Sequence, residues 1–165
     1  MNNPYYLIIR GPLGSGKSTI SEKLAREIGA EHISVDKILD EFGLTKDKEA
    51  GYISQKSFIR ANEIAVERAL PILNRGGRVI FDGNFYWRSQ LDDLLQKLDF
   101  KSEVFTLSIS VEECVKRDSK RSPPHGEGAA RAVYKKATEF SYGLKIDASQ
   151  PLEKTIKEIA SYLPR

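Results

Sequence analysis

A chain of 165 residues is about one domain long and can bury a proper core. Its 26 Lys plus Arg against 23 Asp plus Glu leave a net charge of +3, an excess that suits a phosphorylated ligand and is too small for an extended nucleic-acid footprint. The single cysteine, Cys114, excludes an intrachain disulfide; with no signal peptide and no apolar run of membrane-spanning length, the expectation is a cytoplasmic domain without a membrane partner.

Taken in chain order, "YYLIIR" (5–10) predicts a buried strand, because a short apolar run without alternation suits a sheet covered on both faces. A glycine-rich loop follows, then Ile20, Leu24 and Ile28 at helical spacing, with Gly29 as the stop. "HISVD" (32–36) predicts a short strand ending in an acid. Residues 57–77 predict a long helix, kinked near Pro71 and ended by Gly76 and Gly77. "RVIFD" (78–82) is the next strand, and Leu91, Leu94, Leu95 and Leu98 mark one face of the helix after it. "EVFTLSI" (103–109) predicts a strand leading into a helix whose Ser110 and Glu113 have capping-box spacing.

"SPPHGEG" (122–128) predicts an irregular, mobile loop. A helix over 129–140, a strand over 144–147 and a last helix with Leu152, Ile156, Ile159 and Leu163 on its inner face complete the chain. Strand and helix alternate throughout, so the fold class predicted is α/β: a three-layer sandwich around a five-stranded parallel sheet. No linker divides it. The expectation is a single domain over 1–165 with a lid-like excursion at about 118–128.

"GPLGSGKS" (Gly11, Pro12, Leu13, Gly14, Ser15, Gly16, Lys17, Ser18) fits G-x-x-x-x-G-K-[ST] between a strand and a helix, the context that motif needs. Glycines let backbone N–H groups turn inward around a polyphosphate, and the helix beginning at Gly16 adds the positive end of its dipole. Lys17 is expected to bridge the β- and γ-phosphates, the Ser18 hydroxyl to ligate Mg²⁺, and Thr19 to complete the nucleotide-binding stretch. A guanine-reading [NT]-K-x-D after a late strand is absent: "TKDK" (45–48) has its acid misplaced, and "DEFG" (40–43) follows no strand. Those absences favour a small kinase over a switch or motor.

Three further places carry chemistry. Asp82 ends an apolar strand where an acid would sit near Mg²⁺, through water, or alternatively would cap a helix. Asp36 ends the preceding strand, where it would accept the acceptor's proton or, equally ordinarily, cap "KILDEF". Arg117, Lys120 and Arg121 run into the Pro/Gly-rich loop. Arg117 and Arg121 lie four apart, so both would reach one ligand as a closing lid, or would complement a helix C-terminus. Acceptor contacts are expected from 36–60 and 83–90, chiefly Asp36, Asn84 and Arg88, with Arg60 either a second anion contact or a solvated surface residue. The rings of Phe85, Tyr86 and Trp87 are either stacking faces or core. Arg131, Lys135 and Lys136 make the helix after the lid basic, either a solvated face or a groove for a nucleic-acid end.

The frame "GPLGSGKST…SVDKIL…VIFDGN…EECVKRDSKR…IDAS" resembles the small P-loop kinases grouped around adenylate, shikimate, adenylylsulfate and polynucleotide kinases. "EVFTLSISVEECVKRDSKR" with "VYKKA" is similar to adenylylsulfate kinases, and "FDGNFYWRSQLDD" to adenylate kinases, with Gln90 in register. "SVDKIL" is similar to polynucleotide kinases, in which an aspartate here, Asp36, serves as base. The resemblance implies ATP and Mg²⁺, contacts from Arg117 and Arg121 to ATP or its transferring phosphate, and the 147–152 turn, with Ala148, near the adenine. The activity expected is transfer of the ATP γ-phosphate to a hydroxyl or phosphate of a small molecule or nucleotide. Phosphorylation of a polynucleotide 5′-hydroxyl and a regulatory module with slow hydrolysis are the alternatives.

Overall fold

The computed structural model describes residues 3–164. In chain order the elements are β1 (Tyr5–Arg10), α1 (Lys17–Ile28), β2 (Glu31–Ser34), α2 (Val35–Glu41), β3 (Lys48–Glu49), β4 (Tyr52–Ile53), α3 (Gln55–Asn74), β5 (Arg78–Gly83), α4 (Arg88–Lys97), β6 (Lys101–Ser108), α5 (Val111–Ser119), α6 (Glu127–Ala137), β7 (Leu144–Asp147) and α7 (Leu152–Ala160). Five strands pair in parallel in the order β2-β5-β1-β6-β7. The sheet is the predicted one, with helices on both faces.

The pleat sorts the core. Alternate side chains of a strand point to opposite faces, so Tyr6 and Ile8 of β1 pack with Val79, Phe81 and Val104 under α2, α3 and α4. Tyr5, Leu7 and Ile9 go to the other face with Ile80, Phe105 and Ile146, beneath α1 and α7. Ile8, Ile9, Leu7 and Phe81 are fully buried, and each such side chain contributes about 1.5–3 kcal/mol over its exposed state. Burial on both faces explains why these strands read as continuous apolar runs.

Several local readings are corrected. The strand predicted over 32–36 is Glu31–Ser34, because the Ser34 hydroxyl accepts from the Lys37 N–H and caps a helix that starts at Val35. Asp36 therefore sits in the first turn of α2, not at a strand end. The long helix runs from Gln55 to Asn74 continuously through Pro71, started by Ser54, whose hydroxyl accepts from the Ser57 N–H. The helix expected over 129–140 is Glu127–Ala137, so the irregular segment ends two residues sooner than "SPPHGEG" suggests. The β3–β4 hairpin was not foreseen. Its two-residue turn has positive φ at both Ala50 (52°) and Gly51 (83°), the conformation that matches strand twist, but the strands are too short to show a pattern.

Candidate active site

The glycine-rich loop leaves β1, the central strand, and its last glycine caps α1. Gly16 has φ 88° and Gly14 φ 79°. A Cβ on Gly14 would lie 2.3 Å from the Cys114 carbonyl oxygen, so the loop must pass against α5 without a side chain there. Lys17 is 7% exposed, and its ammonium donates one long bond, 3.4 Å, to the Pro12 carbonyl and lies 3.9 Å from Asp36 Oδ2. A buried ammonium so thinly partnered, beside the N-terminus of a twelve-residue helix, fits a polyphosphate.

Arg117 and Arg121 converge on the same place. Arg117, in the last turn of α5, donates from Nε to Glu113, from Nη1 to the Ser15 carbonyl at 3.4 Å and from Nη2 to the Ala148 carbonyl at 3.3 Å. Arg121 lies beyond the end of α5, not on its face as the i, i+4 spacing suggested. Both nevertheless line one cleft of about 210 Å³ with Gly14, Gly16, Lys17, Ser18 and Thr19. A second cleft of about 260 Å³ continues from Gly16 and Thr19 past Arg117 to Ala148, Gln150 and Leu152, where the resemblance puts the adenine. Gly11 and Pro12 face another cavity, with Arg10, and Leu13 faces away from the nucleotide side.

The loop after α5 is tethered to that helix. Asp118 is 1% exposed and its carboxylate accepts from the backbone N–H groups of His125 and Gly126 and pairs with His125 Nδ1. Burial alone would raise its carboxyl; these bonds outweigh that and hold it below the ordinary range. Sequence reading missed Asp118, whose role depends on a loop folding back upon it.

Asp82 is 1% exposed, with Oδ2 paired to His32 Nε2 and Oδ1 buried without a partner. It is the penultimate residue of β5, not a helix cap. The unpartnered carboxylate oxygen and the Ser18 hydroxyl fit a cation held mainly by phosphates and water. Among the described residues, no group of three or more His, Cys, Asp or Glu side chains is arranged to hold a metal.

Across from the P-loop lies a cleft of about 450 Å³. Asp36, Asp40, Asn84, Tyr52, Tyr86 and Leu13 line it, with Lys48 at the hairpin and His125, Ala129 and Val133 on the lid side. Asp36 Oδ1 accepts from the Asn84 N–H at 3.3 Å. Burial pushes the Asp36 carboxyl above the ordinary range; Lys17 and the Asn84 N–H oppose that shift, while Asp82 and Asp40 add to it.

Two predicted acceptor residues are not in this cleft. Arg60 projects from α3 to solvent and pairs with Glu63 at 2.8 Å. Arg88 opens α4 and lies 5.4 Å from the Tyr142 ring. Gln90 is buried against Asn62. Of the three aromatics, Phe85 is core and Trp87 anchors the hairpin by donating to the Ile53 carbonyl, leaving Tyr86 at the cleft. The basic face of α6 is partly neutralised: Arg131 pairs with Glu127, and Lys136 pairs with Glu139 and lies 3.8 Å from the Trp87 ring centroid.

Sheet order and loop together define a P-loop α/β protein. More particularly, the chain belongs to the AAA domain family, whose model matches residues 7–140. It is 27% identical over 167 residues to an uncharacterized protein of Mycobacterium tuberculosis H37Rv, covering 90% of this chain but 32% of that protein, so the chain spans about a third of the length of its first curated relatives. A shikimate kinase from Caldicellulosiruptor bescii is 30% identical over 81 residues, 46% of this chain and 47% of that protein. Two solved structures share the fold: a sugar kinase from Janibacter sp. HTCC2649 (TM-score 0.78, 19% identity, 97% of this chain and 94% of that one) and a gluconokinase from Sinorhizobium meliloti 1021 (0.75, 18%, 98% and 92%). Among the described residues no helix is long and apolar enough to cross a membrane.

Proposed function

We propose that the protein transfers the γ-phosphoryl group of ATP to a hydroxyl of a small molecule. The observation that carries the reading is the Lys17–Asp36 approach: a P-loop ammonium and an acid of the facing cleft lie 3.9 Å apart, where donor phosphate and acceptor hydroxyl would meet. The acceptor oxygen attacks the γ-phosphorus, the bond to the β-bridging oxygen breaks, and ADP leaves while Asp36 takes the hydroxyl proton. Lys17 and the loop N–H groups hold the donor; Arg117 and Arg121 stabilise charge on the transferring group. Ser18 and Asp82 are the residues that would hold Mg²⁺, which neutralises charge on the phosphate oxygens when bound. The ATP preference rests on the family resemblance.

The test is ADP release from Mg·ATP with pooled acceptors: sugars and polyols, nucleosides, nucleoside monophosphates and 5′-hydroxyl oligonucleotides, with Lys17→Ala as blank. Stimulation by the polyol pool, silent in the blank, supports the proposal. Stimulation only by oligonucleotides would move the reading to a polynucleotide kinase. ATP binding without acceptor-stimulated release would point to a regulatory module.

A further inference from the structure

The cleft facing the P-loop is rich in hydrogen-bond acceptors and poor in cations. Asp36 and Asp40 lie one turn apart on α2 and both line it. Asp40 is exposed, and its carboxylate makes no hydrogen bond or ion pair among the described residues. Asn84 is only 9% exposed, and its Oδ1 is buried without a partner. That oxygen presents no surface to an occupant of the cleft. Tyr52 and Tyr86 set two rings 5.5 Å apart along the same wall.

The cations facing the cleft are few. No arginine lines it, Lys48 belongs to a two-residue strand, and His125 is engaged with Asp118. Lys17 approaches Asp36 from the donor side. An anionic acceptor would meet two carboxylates with a single lysine to set against them. A cation would relieve the repulsion between the two aspartates and find an aromatic wall.

We infer that the acceptor is an amino polyol: a hydroxyl compound carrying an ammonium group that Asp40 binds beside the Tyr52 and Tyr86 rings. About 450 Å³ is room for a small-molecule ligand of this kind. The phosphorylation rests on the kinase reading above; the binding preference does not. In turnover the hydroxyl proton goes to Asp36, the new P–O bond replaces the one to ADP, and the ammonium stays protonated.

The experiment measures both binding by calorimetry and ADP release with Mg·ATP, using the full chain. The probes are glucosamine, 2-deoxystreptamine, glucose, gluconate and shikimate. At least one amine is expected to bind tenfold or more tighter than glucose, with the carboxylates weakest. Asp40→Asn should reduce that preference at least fivefold, and Asp40→Lys should turn it toward gluconate. Because Asp40 is exposed, both variants are expected to fold, which a thermal melt checks. Amine preference without ADP release would uphold the cleft assignment and sink the kinase reading. Release stimulated equally or better by glucose, gluconate or shikimate would uphold the kinase and overturn the inference. No amine binding would overturn it too.

Discussion

The two halves of the proposed site, donor and acceptor, are built differently. The donor half is one continuous segment, residues 11–19, whose geometry is held by the backbone: two left-handed glycines, a helix N-terminus and one lysine. The acceptor half is assembled from α2, the β3–β4 hairpin, the residues after β5 and the face of α6. Its parts are tied by side chains: Tyr86 Oη accepts from the Ile53 N–H at 2.9 Å, Trp87 donates to the Ile53 carbonyl, and Tyr52 donates to the Ala132 carbonyl. A polyphosphate is the same in every ATP, so a local loop suffices to hold it. An acceptor is individual to the enzyme, and its pocket is where tertiary assembly is free to vary.

That contrast can be broken by mutation. Asp36→Asn carries the largest expected effect, about 10²–10⁴-fold on acceptor-dependent kcat with the KM for ATP little changed. The acid limb of wild-type kcat/KM should lie above the ordinary aspartate range, because the Asp36 carboxyl is raised and a base is lost as pH falls through its pKa. An unchanged rate in this variant would remove Asp36 from the chemistry. Arg117→Ala should cost both halves, on the order of tenfold to a hundredfold in kcat with weakened ATP binding, since its guanidinium bridges the P-loop and the Ala148 carbonyl.

Asp118→Asn probes the tether between the halves. Chemical denaturation should show a loss of about 1–3 kcal/mol, from weakened bonds to the His125 and Gly126 N–H groups. The sign with pH is fixed: the folded carboxyl lies below its unfolded value, so the wild-type advantage is full above the unfolded pKa and fades as pH falls through the folded one. A gap that instead widens in acid would contradict the tether. Smallest of all, Arg60→Ala should stay within about 0.5 kcal/mol of wild type and leave acceptor KM unmoved, because its side chain is 53% exposed and paired only to Glu63. A raised KM would return Arg60 to the acceptor site.

Legibility followed the range of the interactions. The central strands β1 and β5 were readable because burial on both faces makes each a self-announcing apolar run, and β5 and β7 begin where the sequence places them. The boundary at Ser34 was missed because a cap and a strand end look alike until the helix is seen. The β3–β4 hairpin was missed because two-residue strands leave no periodicity, and with it went Lys48 and Tyr52. Arg60 and Arg88 were plausible by chain position alone; only the direction of their side chains removes them from the cleft.

By itself the sequence determined the P-loop and the parallel α/β sheet, since each is specified by residues close together in the chain or by a period of the backbone. Only the tertiary structure decided which acid faces Lys17, which aromatic faces the cleft, and that the unpaired Asp40 shares one pocket with Asp36, Tyr52 and Tyr86. Those are meetings of residues as far apart as Asp36 and Ala132, brought together by packing on a common sheet. No local pattern records such a meeting, because burial and side-chain direction arise only once the elements have docked.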